Sequence, residues 1–289
     1  MMKMAQGLKM EIRLANERGF CFGVRRAIEL AEKAVAERGS LESLGAIVHN
    51  RQVVDLLSAR GMRIIQNLDE MEGDTLLIPS HGIRAEILPQ AEERGLNVID
   101  ATCPIVRNAQ RVVRNLYDEG FTVLVFGDAS HTEVKGLLSR AGDDAIATTE
   151  IPFFKTSPRR IGVLSQTTQS QKLFAAFLAQ LMDAELDSLT EIRIFNTICD
   201  ATGKRQSAAL QLASEVDRML VIGGHDSANT RHLAEICQST GVKTLHIESA
   251  HEIDPSRWDK QSRVGITAGA STPEWVIEEV IQKLEQSSK

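Results

Sequence analysis

The same cysteine context occurs three times along the chain. Cys21, Cys103 and Cys199 lie 82 and 96 residues apart, and each ends a strand-like stretch and begins a helical one. The segments LNVIDATCPIVRNAQRVVRNL and IRIFNTICDATGKRQSAALQLA match closely, and IRLANERGFCFGVRRAIELAEKAV follows them more loosely. A period of roughly 90 residues exceeds that of solenoid repeats and approaches the size of a small domain. The sequence therefore predicts three related units.

Each unit continues with the same order of elements. In each unit an apolar strand, a polar turn and a helical pattern follow the cysteine. The turn contains the residue 28 positions beyond the cysteine, which is His49, His131 or Ser227. A third strand, turn and helix follows in TLLIPSHGIRAEIL, RIGVLSQTTQSQKLF and RVGITAGASTPEWVIEEV. Short strands rich in Val, Ile and Leu between helices indicate parallel sheets covered by helices. We predict an α/β fold of three small units, residues 11–103, 104–198 and 199–289, with mostly parallel sheets in a pseudo-threefold arrangement.

The polar turns of the repeat lie where ligands bind parallel sheets, beyond the carboxyl ends of the strands. Three units around one axis would direct Cys21, Cys103 and Cys199 to a common centre. Three thiolates are one short of the usual set for a [4Fe–4S] cluster, so one iron would be open to a substrate. The alternative is three buried structural cysteines, but the matched contexts favour a central iron–sulfur site. Cys237 lies at a core position of a helical pattern, and we predict that it packs in the core.

Composition limits the classes of partner. The 289 residues are 43% hydrophobic, which is enough for a packed core, and carry a net charge of −6. Only 4% are aromatic, which argues against a stacking platform for nucleic acid. No apolar run approaches the ~20 residues of a membrane span, and the N-terminal segment lacks the apolar region of a secretory signal. We therefore expect a cytoplasmic protein without nucleic-acid or membrane partners.

Several polar side chains lie at predicted strand-to-helix junctions. Helix N-termini offer backbone N–H groups and a positive dipole end, so they suit anions. Imidazoles, hydroxyls and an amide at such positions predict a phosphate or diphosphate pocket without a P-loop, although Ser and Asn there are also ordinary helix N-caps. These residues are His49, His81, His131, Ser227, Asn229 and Ser271.

Glu133 follows His131 by two residues, in the first turn of the predicted helix. Beside an anionic substrate its pKa would rise, which suits a proton donor. The alternative is a carboxylate that stabilises the helix N-terminus. Thr167 and Thr168 lie at the equivalent strand end of the second unit and could hold Glu133 or a substrate hydroxyl, although they too could be N-caps.

Taken together and in order, the motifs resemble those of one family over nearly the whole chain, from Asn16 to Pro273. They are RGFCFGVRRAI, VHN, SHG, DATCP, HTEVKG, QTT, ICDAT, SANT and TAGASTP. The family is 4-hydroxy-3-methylbut-2-enyl diphosphate reductase, the LytB (IspH) enzyme of the methylerythritol phosphate pathway of isoprenoid biosynthesis.

The resemblance implies an oxygen-sensitive reductase that converts the allylic alcohol diphosphate into isopentenyl and dimethylallyl diphosphate. It implies a cluster on the three cysteines, Glu133 as proton donor, and Thr167 as the residue that orders the substrate hydroxyl. It also assigns the three histidines, Ser227, Asn229 and Ser271 to the diphosphate. Ferredoxin or flavodoxin is the implied electron donor. Ala228 departs from the family, since many members have serine there, and one diphosphate contact is expected to be lost or moved to Thr230.

Two other functions are compatible with parts of the pattern. A non-catalytic iron–sulfur sensor or carrier would need the cysteines but not Glu133 or the histidines. A zinc-stabilised binding protein is less favoured, because structural zinc sites prefer four ligands, often in C-x₂₋₄-C pairs, and the sequence contains no such pair.

Overall fold

The computed structural model describes residues 10–154, 157–254 and 262–287. Twelve strands within these ranges form three four-stranded sheets. In chain order the strands are β1 (Glu11–Leu14), β2 (Leu41–Leu44), β3 (Met62–Ile65), β4 (Thr75–Ile78), β5 (Asn97–Asp100), β6 (Thr122–Phe126), β7 (Ile146–Thr148), β8 (Arg160–Ser165), β9 (Glu191–Phe195), β10 (Arg218–Ile222), β11 (Lys243–Ile247) and β12 (Arg263–Ala268).

Helices connect the strands, as expected for parallel pairing. They are α1 (Phe22–Arg38), α2 (Arg51–Ala59), α3 (Ile87–Glu93), α4 (Pro104–Asp118), α5 (Thr132–Leu138), α6 (Gln171–Glu185), α7 (Asp200–Ala213), α8 (Ala228–Ser239) and α9 (Glu274–Ser287). All the strand pairs among the described residues are parallel. The predicted α/β class with three parallel-sheet units is confirmed.

The three sheets share one strand order. The first is β3-β2-β4-β5, the second is β7-β6-β8-β9, and the third, read in the same direction, is β11-β10-β12-β1. In each sheet the fourth strand leads into one of the three repeated cysteines. The third sheet takes this strand from the N-terminal end, since β1 pairs with β12 from Glu11 opposite Arg263 to Leu14 opposite Ile266.

This pairing differs from the predicted division, which assigned residues 11–14 to the first unit. The physical reason is that the described residues after 199 supply three strands to the third sheet, and β1 adds the fourth at its edge through backbone hydrogen bonds. The boundaries near residues 103 and 198 stay predictions.

The sheet interiors are apolar on both faces. Along β6, Val123 and Val125 face a core that includes Leu116 of α4, whereas Leu124 and Phe126 face the side covered by α6. This is why the sequence of such a strand is a continuous apolar run rather than an alternation.

By compactness the described chain divides into two units. One lies between Phe22 and Asp200 and holds the first two sheets, and the other combines residues 10–21 with those from 201 onward and holds the third. None of the described helices has the length and apolarity that crossing a membrane requires.

The close contact between Gly162 in the second sheet and Leu116 of α4 gives a test of this packing. A Cβ on Gly162 of β8 would lie 2.6 Å from both Cδ atoms of Leu116, whereas a Cβ on Gly73 would lie at ordinary contact distances from Glu42, 3.5 Å from Oε2 and 4.0 Å from Cδ. Gly162→Ala should lower the free energy of unfolding by about 1–3 kcal/mol, because overpacking forces the core to shift. Urea unfolding should show this loss for Gly162→Ala and a much smaller change for Gly73→Ala. Equal changes in the two variants would contradict the packing.

Candidate active site

Three imidazoles from three strand-to-helix loops lie together in the Phe22–Asp200 unit. The ring centroids of His49 and His81 are 5.1 Å apart in a stacked arrangement, and those of His49 and His131 are also 5.1 Å apart. Each loop follows the carboxyl end of a parallel strand: β2, β4 and β6 respectively. The structure thus brings together three of the side chains that the sequence predicted for one anion-binding pocket.

Backbone hydrogen bonds fix these loops to one another. The backbone N–H and the hydroxyl of Ser80 both donate to the Ile47 carbonyl, at 3.2 and 2.9 Å. The Cys103 N–H donates to the Ser80 carbonyl at 2.9 Å. The loops that carry His49 and His81 and the loop that ends at Cys103 are therefore held in register.

His81 is held as a neutral imidazole. Burial, with the neighbouring His49 and His131 rings, lowers the pKa of His81 to about 3. Its buried Nδ1 atom has no hydrogen-bond partner among the described residues. An anion bound beside the cluster would supply the missing partner, and its negative charge would raise the pKa of the imidazole.

His131 is the N-cap residue of α5. Its Nδ1 atom accepts a hydrogen bond from the Glu133 backbone N–H at 3.2 Å. A neutral imidazole that accepts at Nδ1 carries its proton at Nε2, so the cap fixes the tautomer of the ring. The N-terminus of α5 is therefore capped by the His131 side chain and not by the Glu133 carboxylate that the sequence suggested as an alternative.

Glu133 is buried and holds two hydrogen bonds from a single residue. The Thr167 backbone N–H donates to Glu133 Oε1 at 2.7 Å, and the Thr167 hydroxyl donates to Oε2 at 2.8 Å. Burial raises the pKa of the Glu133 carboxyl, and the two hydrogen bonds from Thr167 only partly oppose the rise. Glu133 therefore holds a proton at higher pH than an ordinary glutamate, as a general acid must.

Gln166 is a supporting residue that the sequence analysis missed. It is fully buried, its Oε1 accepts from the Asp128 N–H at 3.2 Å, and its Nε2 donates to the Thr168 hydroxyl at 3.2 Å. It therefore links the turn before His131 to the turn that carries Thr167 and Thr168. The QTT run was the available signal, but only its hydroxyls were considered as site residues.

Cys103 and Cys199 also belong to this unit, at the ends of the loops after β5 and β9. Cys103 immediately precedes α4, and Cys199 N–H donates to the Thr167 carbonyl at 2.9 Å. A Cβ on Gly23 would lie 2.6 Å from Cys103 Sγ, so glycine at residue 23 is what lets α1 lie this close to the sulfur. Partly buried thiols at the ends of such loops fit the donor set of an iron–sulfur cluster.

Cys21 follows β1 in the other unit. Its N–H donates to the Ala270 carbonyl at 3.0 Å, and the buried Arg205 guanidinium donates to the Gly19 carbonyl at 2.8 Å. Among the described residues, no group of three His, Cys, Asp or Glu side chains is arranged to hold a metal ion. The convergence of the three thiolates therefore stays a prediction.

Cys237 differs from the other three cysteines. It is fully buried on α8, and burial raises the pKa of its thiol to about 12. The prediction that it packs in the core is confirmed.

The remaining polar residues lie on neighbouring loops of the third sheet. Ser227 caps α8 by accepting from the Thr230 N–H at 3.4 Å, and the buried Asn229 Nδ2 has no partner among the residues described. Ser271 follows the adjacent strand β12 and is buried. Thr230 is entirely buried, and a Cβ on Gly269 would lie 2.2 Å from its hydroxyl. The Thr230 hydroxyl also has no hydrogen-bond partner among the described residues, and a transfer of the Ala228 contact to Thr230 stays a prediction.

Comparison with known proteins identifies the family. The sequence model of the LytB protein family matches residues 12–285. The chain belongs to the LytB family. It is 45% identical over 282 residues to the 4-hydroxy-3-methylbut-2-enyl diphosphate reductase of Dehalococcoides mccartyi strain CBDB1, covering 96% of this chain and 99% of the relative. It is 44% identical over 279 residues to the reductase of the same name from Geobacter sulfurreducens, covering 96% and 98%. The resemblance seen in the motifs is confirmed.

Two solved structures of LytB-type reductases share the fold. The E-1-hydroxy-2-methyl-but-2-enyl-4-diphosphate reductase of Plasmodium falciparum matches with a TM-score of 0.88 and 26% identity, covering 95% of this chain and 87% of that one. An (E)-4-hydroxy-3-methyl-but-2-enyl diphosphate reductase, described as the terminal enzyme of the non-mevalonate pathway, matches with a TM-score of 0.68 and 38% identity, covering 96% and 99%.

The neutral state of His81 predicts how stability depends on pH. The unfolded chain binds a proton at His81 below about pH 6.5, but the folded chain does so only near pH 3, so stability falls as pH decreases between these values. The loss is at most about 1.4 kcal/mol per pH unit. Urea unfolding of the ligand-free protein at pH 7, 6 and 5 should show a shallower pH dependence for His81→Gln than for wild type. The exposed His251 provides the control, because His251→Gln should retain the wild-type slope, and an unaltered slope in His81→Gln would contradict the assignment.

Proposed function

We propose that this chain reduces (E)-4-hydroxy-3-methylbut-2-enyl diphosphate to isopentenyl diphosphate and dimethylallyl diphosphate, with loss of water. The observation that carries the proposal is the buried Glu133–Thr167 pair next to the imidazole cluster, in a chain of the LytB family. The reaction consumes two electrons and two protons per substrate, because one C–O bond breaks and one C–H bond forms. It therefore requires a proton donor and an electron source.

The diphosphate is the part of the substrate that gives binding energy without reacting. Binding it firmly positions the hydroxyl at the other end of the molecule for reaction. The unpartnered buried nitrogens of His81 and Asn229 support this assignment, since an anion would satisfy them. The proposed substrate-binding residues are His49, His81, His131, Thr168, Ser227, Asn229 and Ser271.

Glu133 is the proposed proton donor. Its pKa is raised by burial, which favours the protonated carboxyl more than in an ordinary glutamate, and its proton would let the substrate hydroxyl leave as water rather than as hydroxide. After the transfer, the hydroxyl and N–H of Thr167 stabilise the carboxylate that forms. Thr167 thus has a role in catalysis through the protonation state of Glu133. His131 orients the start of α5, on which Glu133 lies.

Cys21, Cys103 and Cys199 are the proposed ligands of a [4Fe–4S] cluster. When bound, this cluster supplies the electrons that break the C–O bond. The partly buried thiols, each of which follows the fourth strand of a parallel sheet, support the assignment. Ferredoxin or flavodoxin is the proposed electron donor, and the cytoplasm is the proposed location.

Replacing Glu133 by glutamine tests the proton donor. Glu133→Gln keeps the shape of the side chain and an oxygen for the Thr167 N–H, but it has no acidic proton. Turnover of the hydroxylated diphosphate with dithionite under anaerobic conditions should fall by about 10²- to 10⁴-fold. The matched control is Glu42→Gln, because Glu42 is also buried but holds Arg63 and the Gly73 N–H outside this site. Glu42→Gln should lose stability and retain turnover. Full turnover by Glu133→Gln would refute Glu133 as the proton donor, whereas absence of turnover in the wild type would favour a non-catalytic sensor or carrier.

Replacing single cysteines tests the ligand set. Cys103→Ser should lower the iron and sulfide content of anaerobically purified protein, because serine is a poor ligand for iron–sulfur clusters compared with thiolate. Cys237→Ala should retain wild-type iron and sulfide, since Cys237 is a core residue. A Cys103→Ser protein with unchanged iron would refute the assignment, and zinc in place of iron in the wild type would favour the zinc-stabilised alternative.

A further inference from the structure

An exposed aromatic side chain lies at the start of α1, directly after Cys21. Phe22 is 70% exposed. The other phenylalanine that flanks this cysteine, Phe20, packs edge-on against Trp275 with ring centroids 6.4 Å apart. Exposed aromatic residues are common anchors of protein–protein interfaces. Phe22 is therefore a candidate contact for another molecule rather than part of the fold.

The start of α4 extends the same surface. The Arg26 guanidinium of α1 donates to the carbonyls of Asp100 and Thr102, both at 3.3 Å, and a Cβ on Gly23 would touch Cys103 Sγ. These contacts hold the first turn of α1 next to Cys103 and the start of α4. Ile105, two residues beyond that cysteine, is 39% exposed.

Arginines follow these apolar residues along α1 and α4. We call the surface the cysteine face and define it by the exposed or partly exposed residues Phe22, Arg25, Arg26, Ile105, Arg107 and Arg111. Arg107 is paired with Asp100 at 2.7 Å, so Arg25, Arg26 and Arg111 supply the excess positive charge. On α4 the only acidic residue is Asp118, at the far end, and on α1 the first is Glu29, about two turns from Phe22. The basic face is notable in a chain of net charge −6.

We propose that the cysteine face docks an acidic protein that carries one electron at a time. The inference rests on the proposed function, because the reaction there consumes two electrons that must reach the cysteines from outside. The exposed Phe22 and Ile105, together with the arginines on the same two helices, complement a carrier that has an apolar patch and an acidic rim. Electrostatic attraction would accelerate the encounter, and the small apolar area suits a transient electron-transfer complex.

The experiment compares two reductants on the iron–sulfur-loaded enzyme. One is a reduced plant-type ferredoxin, and the other is dithionite with methyl viologen, which needs no docking surface. The test variants are Phe22→Ala and Arg111→Glu. Their matched controls are Leu186→Ala, at a leucine that is 56% exposed, and Lys33→Glu, at a lysine that is 70% exposed and lies further along α1.

Docking on the cysteine face predicts a loss that is specific to the protein reductant. Ferredoxin-driven kcat/KM should fall about tenfold in each test variant, while the dithionite-driven rate and both control variants stay at wild-type values. Raising the ionic strength should slow the wild type with ferredoxin and affect Arg111→Glu less, because screening removes the attraction of exposed charges.

Three results would overturn the docking proposal. The first is an unchanged ferredoxin-driven rate in both test variants, and the second is an equal loss in the control variants. The third is a wild-type dimer in sedimentation that Phe22→Ala dissociates without a change in the ferredoxin-driven rate, which would assign the face to a second copy of the chain. Absence of dithionite-driven turnover in the wild type would instead refute the proposed function itself, so the two failures are distinguishable.

Discussion

Parallel pairing of the fourth strand in each sheet determines where the three repeated cysteines lie. β5 pairs with β4, β9 pairs with β8, and β1 pairs with β12, so each cysteine follows a strand at the carboxyl edge of its sheet. Loops at that edge also carry the histidines, Glu133 and the threonines. The β1–β12 pairing is the most demanding of the three, because it joins two ends of the chain that are about 250 residues apart in sequence. Without it, Cys21 would be on a segment with no sheet to hold it.

Burial gives the polar residues of the site their chemical properties. The pKa of His81 is lowered because charged imidazole would lose its hydration and face two further imidazoles, and the pKa of Glu133 is raised because carboxylate would lose its hydration. These two shifts are opposite in sign and have the same cause. The negative charge of a bound diphosphate would favour protonation of the histidines. The polar groups proposed to bind the anion and the acid proposed to donate the proton can therefore operate at the same pH.

The sequence predicted most of the fold and much of the candidate site. The apolar runs and the repeated Cys context indicated parallel strands followed by helices, and the confirmed family agrees with the motifs. It missed Gln166, whose amide joins the Asp128 and Thr168 turns, and Gly23, which lets α1 lie against Cys103 Sγ. Neither residue is a nucleophile, an acid, a base or a usual metal ligand. Both act by positioning their neighbours, so the sequence alone gave no reason to select them. The assignment of β1 to the first unit was also inaccurate, since strand partners are chosen by long-range pairing.

The sequence by itself determined the types of elements, their order and the residues that stand at strand ends, because hydrophobic periodicity and turn composition act over neighbouring residues. Only the tertiary structure decided that the His49 ring stacks on His81 and lies tilted against His131, that Thr167 holds both oxygens of Glu133, and that Phe22 is exposed while Phe20 is packed. These properties depend on which loops become neighbours and on how much water is removed from each side chain. Both are set by contacts between residues that are far apart in the chain.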